Sequence, residues 1–274
     1  MREEPADLPI CLTCGTQYRG RRTDCPVCSD ERQYVRPGGQ RWTDLGELRA
    51  QGHAGRFEEE GPRVLGVGCR PAVAIGQRAL ILRTESGNVL WDCVPYLDDD
   101  MVGRIKQIGG LSAIAVSHPH FYGAMVEWAH AFDAPVHLHA ADKAWVGRPD
   151  PSLRFWDGET YRLSEELTLI NGAVHFPGSS VLHWDAGDGA LFTGDTIHVC
   201  PDSRWVTVMY SYPNHIPERP QAVRNAANVL GRYRFERVYG AWWGRVVTRD
   251  GNAVLSRSMA RYLRFETGAD GGGG

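Results

Sequence analysis

The chain has 274 residues, with 30 basic and 33 acidic side chains and a formal net charge of −3. That length holds one large domain plus a small appendage, and the near balance of charge gives no electrostatic pull toward nucleic acid or an anionic membrane. No apolar run nears the roughly 18–20 residues that span a bilayer, and Met1-Arg2-Glu3-Glu4-Pro5 lacks the apolar core of a signal peptide.

Cysteines open the chain. Cys11-Leu12-Thr13-Cys14-Gly15 and Cys25-Pro26-Val27-Cys28 are two Cys-x-x-Cys turns, each presenting two thiolates, and together they suit a closed four-sulfur metal site. Fewer than ~40 residues bury too little surface to fold alone, so a metal supplies the missing stability. Residues 1–36 therefore read as a four-cysteine zinc-ribbon or rubredoxin-like module, with structural Zn2+ preferred over iron. Six basic and six acidic side chains cancel across residues 1–36, which argues against nucleic acid and for a structural or subunit-contact appendage. Cys69, Cys93 and Cys200 are scattered, so cysteine usage suits a reducing cytoplasm.

Residues 37–60, with Pro37-Gly38-Gly39 and Gln51-Gly52-His53-Ala54-Gly55, read as a linker with one short helix around Asp44–Gln51. From Val64 the pattern is strand-rich. Val73–Arg83 and Asn88–Cys93 read as strands joined by a Thr84-Glu85-Ser86-Gly87 turn. Asp98–Ile108 reads as a helix, its start marked by Asp98, Asp99 and Asp100 and its end by Gly109-Gly110. The apolar run Ala113-Ile114-Ala115-Val116 is a strand that Ser117-His118-Pro119-His120 breaks. A helix over Tyr122–Phe132 and a strand over Pro135–His139 follow, then short strands at Leu167–Asn171, Val181–Trp184 and Ala190–Thr193. Arg219–Leu230 and Val254–Phe265 are helical by periodicity, and residues 266–274, closing on Gly271–Gly274, read as a disordered tail. Gly66-Val67-Gly68 lacks the third glycine of a dinucleotide loop, and no Gly-x-Ser-x-Gly elbow offers a serine nucleophile.

The chemistry concentrates in three segments: His118-Pro119-His120, Val174-His175-Phe176-Pro177-Gly178, and Phe192-Thr193-Gly194-Asp195. Imidazoles suit Zn2+ or Fe2+ and a carboxylate completes the shell, each standing where a strand ends and a cleft opens. In this order and spacing the segments resemble the metallo-β-lactamase superfamily over roughly residues 61–265. The resemblance implies an α/β (α+β) architecture, the αββα sandwich, with the small four-cysteine zinc ribbon in front. It implies His118, His120 and His175 as ligands of a first metal, with Asp195 beside them. It also marks departures. Tyr122, Gly123 and the segment Tyr239-Gly240-Ala241-Trp242-Trp243 stand where the family carries its second-metal ligands. Losing one set whole while keeping the other whole implies a single-metal centre.

These residues lead to a metal-dependent hydrolase acting on a small ester, thioester, lactone or amide-like substrate. Asp195, Tyr122 and His198 are the candidates to handle protons. Tyr122 is read either as an acid or oxyanion donor or as packing, and His198, His139 and His215 as histidines that could rebuild a second site. Trp242 and Trp243 fill the vacated second-metal space on this reading. The alternatives are a mononuclear iron oxygenase or redox enzyme on the same fold, and a non-catalytic binding protein with a structural metal. The expected partners are a small-molecule substrate and a second copy of the chain through the ribbon.

Overall fold

The computed structural model describes residues 8–268, and contacts divide the chain into two units, Met1–Trp156 and Asp157–Gly274. The expected tail at Gly271–Gly274 lies outside the described residues, as does the segment before residue 8.

The first unit begins with strand β1 (Ile10–Cys11), helix α1 (Pro26–Ser29), strand β2 (Trp42–Thr43) and helix α2 (Leu45–Ala50). β1 pairs antiparallel with β2, so the segment read as a linker closes the cysteine module instead of merely following it. Leu45 and Leu48 of α2 are buried, each contributing roughly 1.5–3 kcal/mol, and Asp44 caps the helix by accepting from Glu47 N–H.

A seven-stranded sheet follows, in the order β3 (Ala54–Gly61), β4 (Val64–Arg70), β5 (Ala79–Thr84), β6 (Gly87–Trp91), β7 (Ala113–Ala115), β8 (Val136–His139) and β9 (Leu153–Trp156). Its first four strands are antiparallel neighbours and its last four parallel ones. β3 thus occupies the end of the expected linker. Its charged residues Arg56, Glu58 and Glu59 disguise a solvent-facing edge strand. The strand expected over Val73–Arg83 is formed only from Ala79; Val73 is buried, but Ala74 and Gly76 have left-handed backbones that break any ladder. α3 (Asp99–Gln107) is capped by the Asp98 carboxylate, which accepts from Met101 N–H at 2.7 Å. The helix expected over Tyr122–Phe132 starts three residues later, as α4 (Met125–Phe132), after a 3-10 turn at Pro119–Phe121.

The second unit is built on a six-stranded sheet in the order β10 (Thr160–Arg162), β11 (Leu167–Asn171), β12 (Ser180–Trp184), β13 (Ala190–Gly194), β18 (Arg237–Gly240) and β19 (Val246–Val247). Between β13 and β18 lie two small hairpins, β14 (His198–Val199) with β15 (Val206–Thr207) and β16 (Met209–Ser211) with β17 (Ile216–Pro217). The helices are α5 (Pro220–Leu230) and α6 (Gly251–Thr267), so the helix runs into the segment expected as tail. Val223, Ala226 and Leu230 of α5 and Val254, Leu255 and Met259 of α6 share a core with Ile170, Val181, Leu191 and Val238 of the sheet. Because side chains alternate along a strand, Leu169, Leu182, Phe192 and Tyr239 point to the opposite face, and they are buried too. Among the described residues no helix is long and apolar enough to cross a membrane.

Candidate metal centres

In the cysteine module, Cys11, Cys14, Cys25 and Cys28 are buried, with their sulfurs within 4.8 Å of one another. Gly15 turns the first knuckle at φ +84°, where an added Cβ would lie 3.0 Å from Pro95. Pro26 starts α1, which carries Cys28. Donors converge on the sulfurs: Thr13 N–H on Cys11 at 3.4 Å and Gln40 Nε2 on Cys11 at 3.0 Å, with the Tyr18 hydroxyl 3.1 Å from Cys25. Hydrogen bonding from Cys14 pulls the Cys11 thiol far down, while burial pushes Cys14 up. A thiolate-bearing, water-shielded set of four sulfurs fits a soft or borderline cation.

The first unit also contributes His118 and His120. β7 ends at Ala115, and Ser117 is held by its neighbour strand: Asp92, just past β6, accepts Ser117 N–H at 2.8 Å and donates its own N–H to Ala115 O at 2.8 Å. His118 is extended and caps the Pro119–Phe121 turn, so Pro119 sends the chain sideways and returns His120 beside it. The two rings stand 5.2 Å apart between centroids, and their ligand atoms lie within 4.8 Å of each other. Ser117 Oγ lies 3.0 Å from His118 Nδ1, a contact that leaves Nε2 as the nitrogen a metal could take.

The second unit contributes His175 and Asp195, whose ligand atoms also lie within 4.8 Å of each other. His175 sits at φ +71°. Its backbone N–H donates to Glu218 Oε2 at 2.7 Å, and its Nδ1 faces the carbonyls of Met209 and Tyr210 at 3.1 and 2.9 Å. A carbonyl only accepts, so Nδ1 carries the proton and Nε2 keeps the lone pair a cation needs. Asp195 follows Gly194 at the end of β13. Thr193 Oγ1 locks that corner by donating to Ile197 O at 2.7 Å, and Tyr212 OH donates to Asp195 O at 2.9 Å.

His198 lies on β14 with its ring against Tyr212 and Trp242, 5.3 Å from each. Its buried Nδ1 has no hydrogen-bond partner among the described residues, and burial holds its pKa below the ordinary histidine value. Tyr122 is placed among packed side chains, the setting of its second reading. It is buried, its hydroxyl donates to Asp142 O at 3.3 Å, and burial pushes its pKa well up. His139 Nδ1 accepts from Ala141 N–H at 3.2 Å, and its ring meets Trp156 edge-on at 4.5 Å. His215 is exposed on a left-handed turn of the β16–β17 hairpin.

Residues 74–242 match the model of the metallo-beta-lactamase superfamily. The chain belongs to that superfamily. An uncharacterized protein of Bacillus subtilis (strain 168), YmaE, is 41% identical over 262 residues, covering 93% of this chain and 95% of its own. Among solved structures, DIM-1 metallo-beta-lactamase aligns with TM-score 0.60 at 16% identity over 78% of this chain and 97% of its own. TTHA1623, crystallised in a di-iron-bound form, aligns with TM-score 0.50 at 23% identity over 67% and 94%.

Within the superfamily fold, the four cysteines and the His118–His120 pair of the first unit, and the His175–Asp195 pair of the second, are side chains suited to metal, all eight buried. Gly123, at a position where the resemblance implies a second-metal ligand, has φ +49° and would bring a Cβ to 3.0 Å from the Val94 carbonyl carbon. A histidine there strains the backbone and collides. Glu218, Asp92 and Ser117 escaped the sequence reading. An apolar strand ending in Leu90-Trp91-Asp92 is a signal that was there to use; nothing local marks Glu218.

Proposed function

We propose that the chain is a metal-dependent hydrolase whose single catalytic cation, Zn2+ or Fe2+, is held by His118, His120, His175 and Asp195. The observation that carries this reading is the fixed tautomer of His175: two backbone carbonyls occupy Nδ1, and a buried ring so oriented offers only Nε2. Ser117 Oγ stands against Nδ1 of His118, a hydroxyl that can donate or accept, and so orients that ring with Nε2 turned away from it. A divalent cation held by these four residues would supply Lewis acidity, the chemistry that lowers the pKa of water and polarises a carbonyl.

The chain's own residues do the rest. Asp195 and His198 move the proton from attacking water to leaving group. Burial supports the role of His198 by holding the ring neutral and able to accept. Trp242, 5.3 Å from His198, gives that side of the site an apolar wall suited to a small, partly apolar substrate. The superfamily acts on small molecules, and an ester, thioester, lactone or amide carbonyl fits this machinery. The cysteine module holds structural Zn2+, and a second copy of the chain is its proposed contact partner.

Iron chemistry on the same ligands is the second reading, favoured by the di-iron form of TTHA1623 and by His118, His175 and Asp195 as a facial triad. The test is a hydrolysis panel of ester, thioester and lactone substrates with zinc- and iron-loaded protein. Cleavage that His175→Ala abolishes is expected; no cleavage with either metal overturns the hydrolase reading.

A further inference from the structure

The cysteine module is bonded to the chain segment that directly follows His120. Gln17 N–H, three residues beyond Cys14, donates to Gly123 O at 3.1 Å, and Gly123 stands three residues beyond His120. The Gln17 side chain continues the attachment. Its Nε2 donates to Glu127 Oε1 at 3.1 Å, and its Oε1 accepts from the Arg148 guanidinium at 2.6 Å. Arg148 and Glu127 form an ion pair, their side chains only 13% and 7% exposed.

A second strut runs from the sulfurs themselves. The Tyr18 hydroxyl is 3.1 Å from Cys25 Sγ, and its ring lies so close over Gly147 that a Cβ there would be 2.6 Å from the ring. Arg19 N–H donates to Gly147 O at 3.1 Å. The space left among Thr16, Gln17, Tyr122, Gly123, Gly147 and Arg148 is about 10 Å³, room for about one water at most. On its other side the segment is pinned at Val94, whose carbonyl group would meet any Cβ on Gly123. A close-packed, fully bonded contact of this kind transmits displacement instead of absorbing it.

We infer that the cysteine module is a metal-loaded clamp on the His118–His120 turn, with Gln17 as its positioning residue. Filling the four-sulfur site fixes Gln17 and Tyr18, which fix Gly123 and hence the turn that presents both imidazoles. Cation affinity at the histidines therefore depends on cation occupancy at the cysteines, and by linkage the reverse holds. This rests on the ligand reading of His118 and His120 proposed above. It assigns the module neither electron transfer nor nucleic-acid binding.

The test is cobalt titration of metal-free full-length chain. Thiolate-to-cobalt charge-transfer bands report the four-sulfur site, and the weaker d–d bands of a nitrogen and oxygen shell report the histidines. Gln17→Ala and Arg148→Met leave all four cysteines in place. Both are expected to keep the thiolate bands at parent strength and to weaken the second site on the order of tenfold, the range seen when outer-shell support is removed. Arg148→Lys is expected to recover part of that loss. Parent-like affinity at the second site in both variants overturns the clamp. A second measurement needs no mutation: amide exchange across residues 116–125 should slow as the first equivalent enters the sulfurs. Unchanged exchange overturns the clamp as well. A parent chain that never shows cobalt at the imidazoles would instead sink the hydrolase reading, and amide exchange would still decide the clamp.

Discussion

The His175 backbone N–H and the Glu218 carboxylate meet at 2.7 Å, and the other Glu218 oxygen accepts Arg219 N–H at 2.7 Å. One buried carboxylate thus ties the left-handed His175 to the start of α5, while Tyr262 of α6 donates to the Glu218 carbonyl at 2.7 Å. Both oxygens accept. Glu218→Gln must therefore turn an NH2 group toward one of two N–H donors. We expect a folded protein with circular dichroism like the parent and metal affinity at the histidine site lowered 10–100-fold, measured by chelator competition. Unaltered affinity would show that Glu218 does not position His175.

Tyr122 separates packing from catalysis. Its hydroxyl makes a 3.3 Å bond to a backbone carbonyl in a buried setting. Tyr122→Phe should cost about 0.5–1.5 kcal/mol of stability in denaturant unfolding, with any metal-dependent hydrolysis kept within about twofold. A general acid would instead lose 10²-fold or more in rate.

His137 sets a pH dependence of stability. Burial, then the neighbouring Arg154 charge, lowers its pKa from 6.5 to about 4. The unfolded chain takes up a proton as pH falls below about 6.5, and the folded chain resists until about pH 4, so stability is lost as pH drops through that window. The loss from this one ring is on the order of a few kcal/mol. His137→Asn removes the titrating group, so the stability difference between parent and variant should narrow from pH 7 to pH 4 in urea unfolding. A difference that stays constant over that range would contradict the assignment.

Local signals were readable where chemistry is local. The Asp98 cap, the Gly109-Gly110 stop, the amphipathic stripe of α5 and the break at Ser117-His118-Pro119 all act within a few residues, and each appears where the pattern puts it. Nonlocal pairings left no such trace. β3 carries Arg56 and three glutamates and is a strand only because β4 pairs with it. The segment read as linker is ordered because Cys11 pairs with Trp42 and takes a bond from Gln40. Gly123 reads from sequence as a missing ligand; the fold gives it a positive φ against Val94. Tyr122 illustrates the same limit, since nothing local shows that its hydroxyl donates to the backbone carbonyl of Asp142, twenty residues on.

Metal content per chain tests the central claim most directly. Elemental analysis of purified full-length protein should find two equivalents, one tied to the four cysteines and one to His118, His120, His175 and Asp195. His120→Ala should release one equivalent and leave the other, while thiolate bands in the cobalt-substituted form persist. A content of one equivalent that His120→Ala does not change, or of three in the parent, would contradict a single-metal histidine centre.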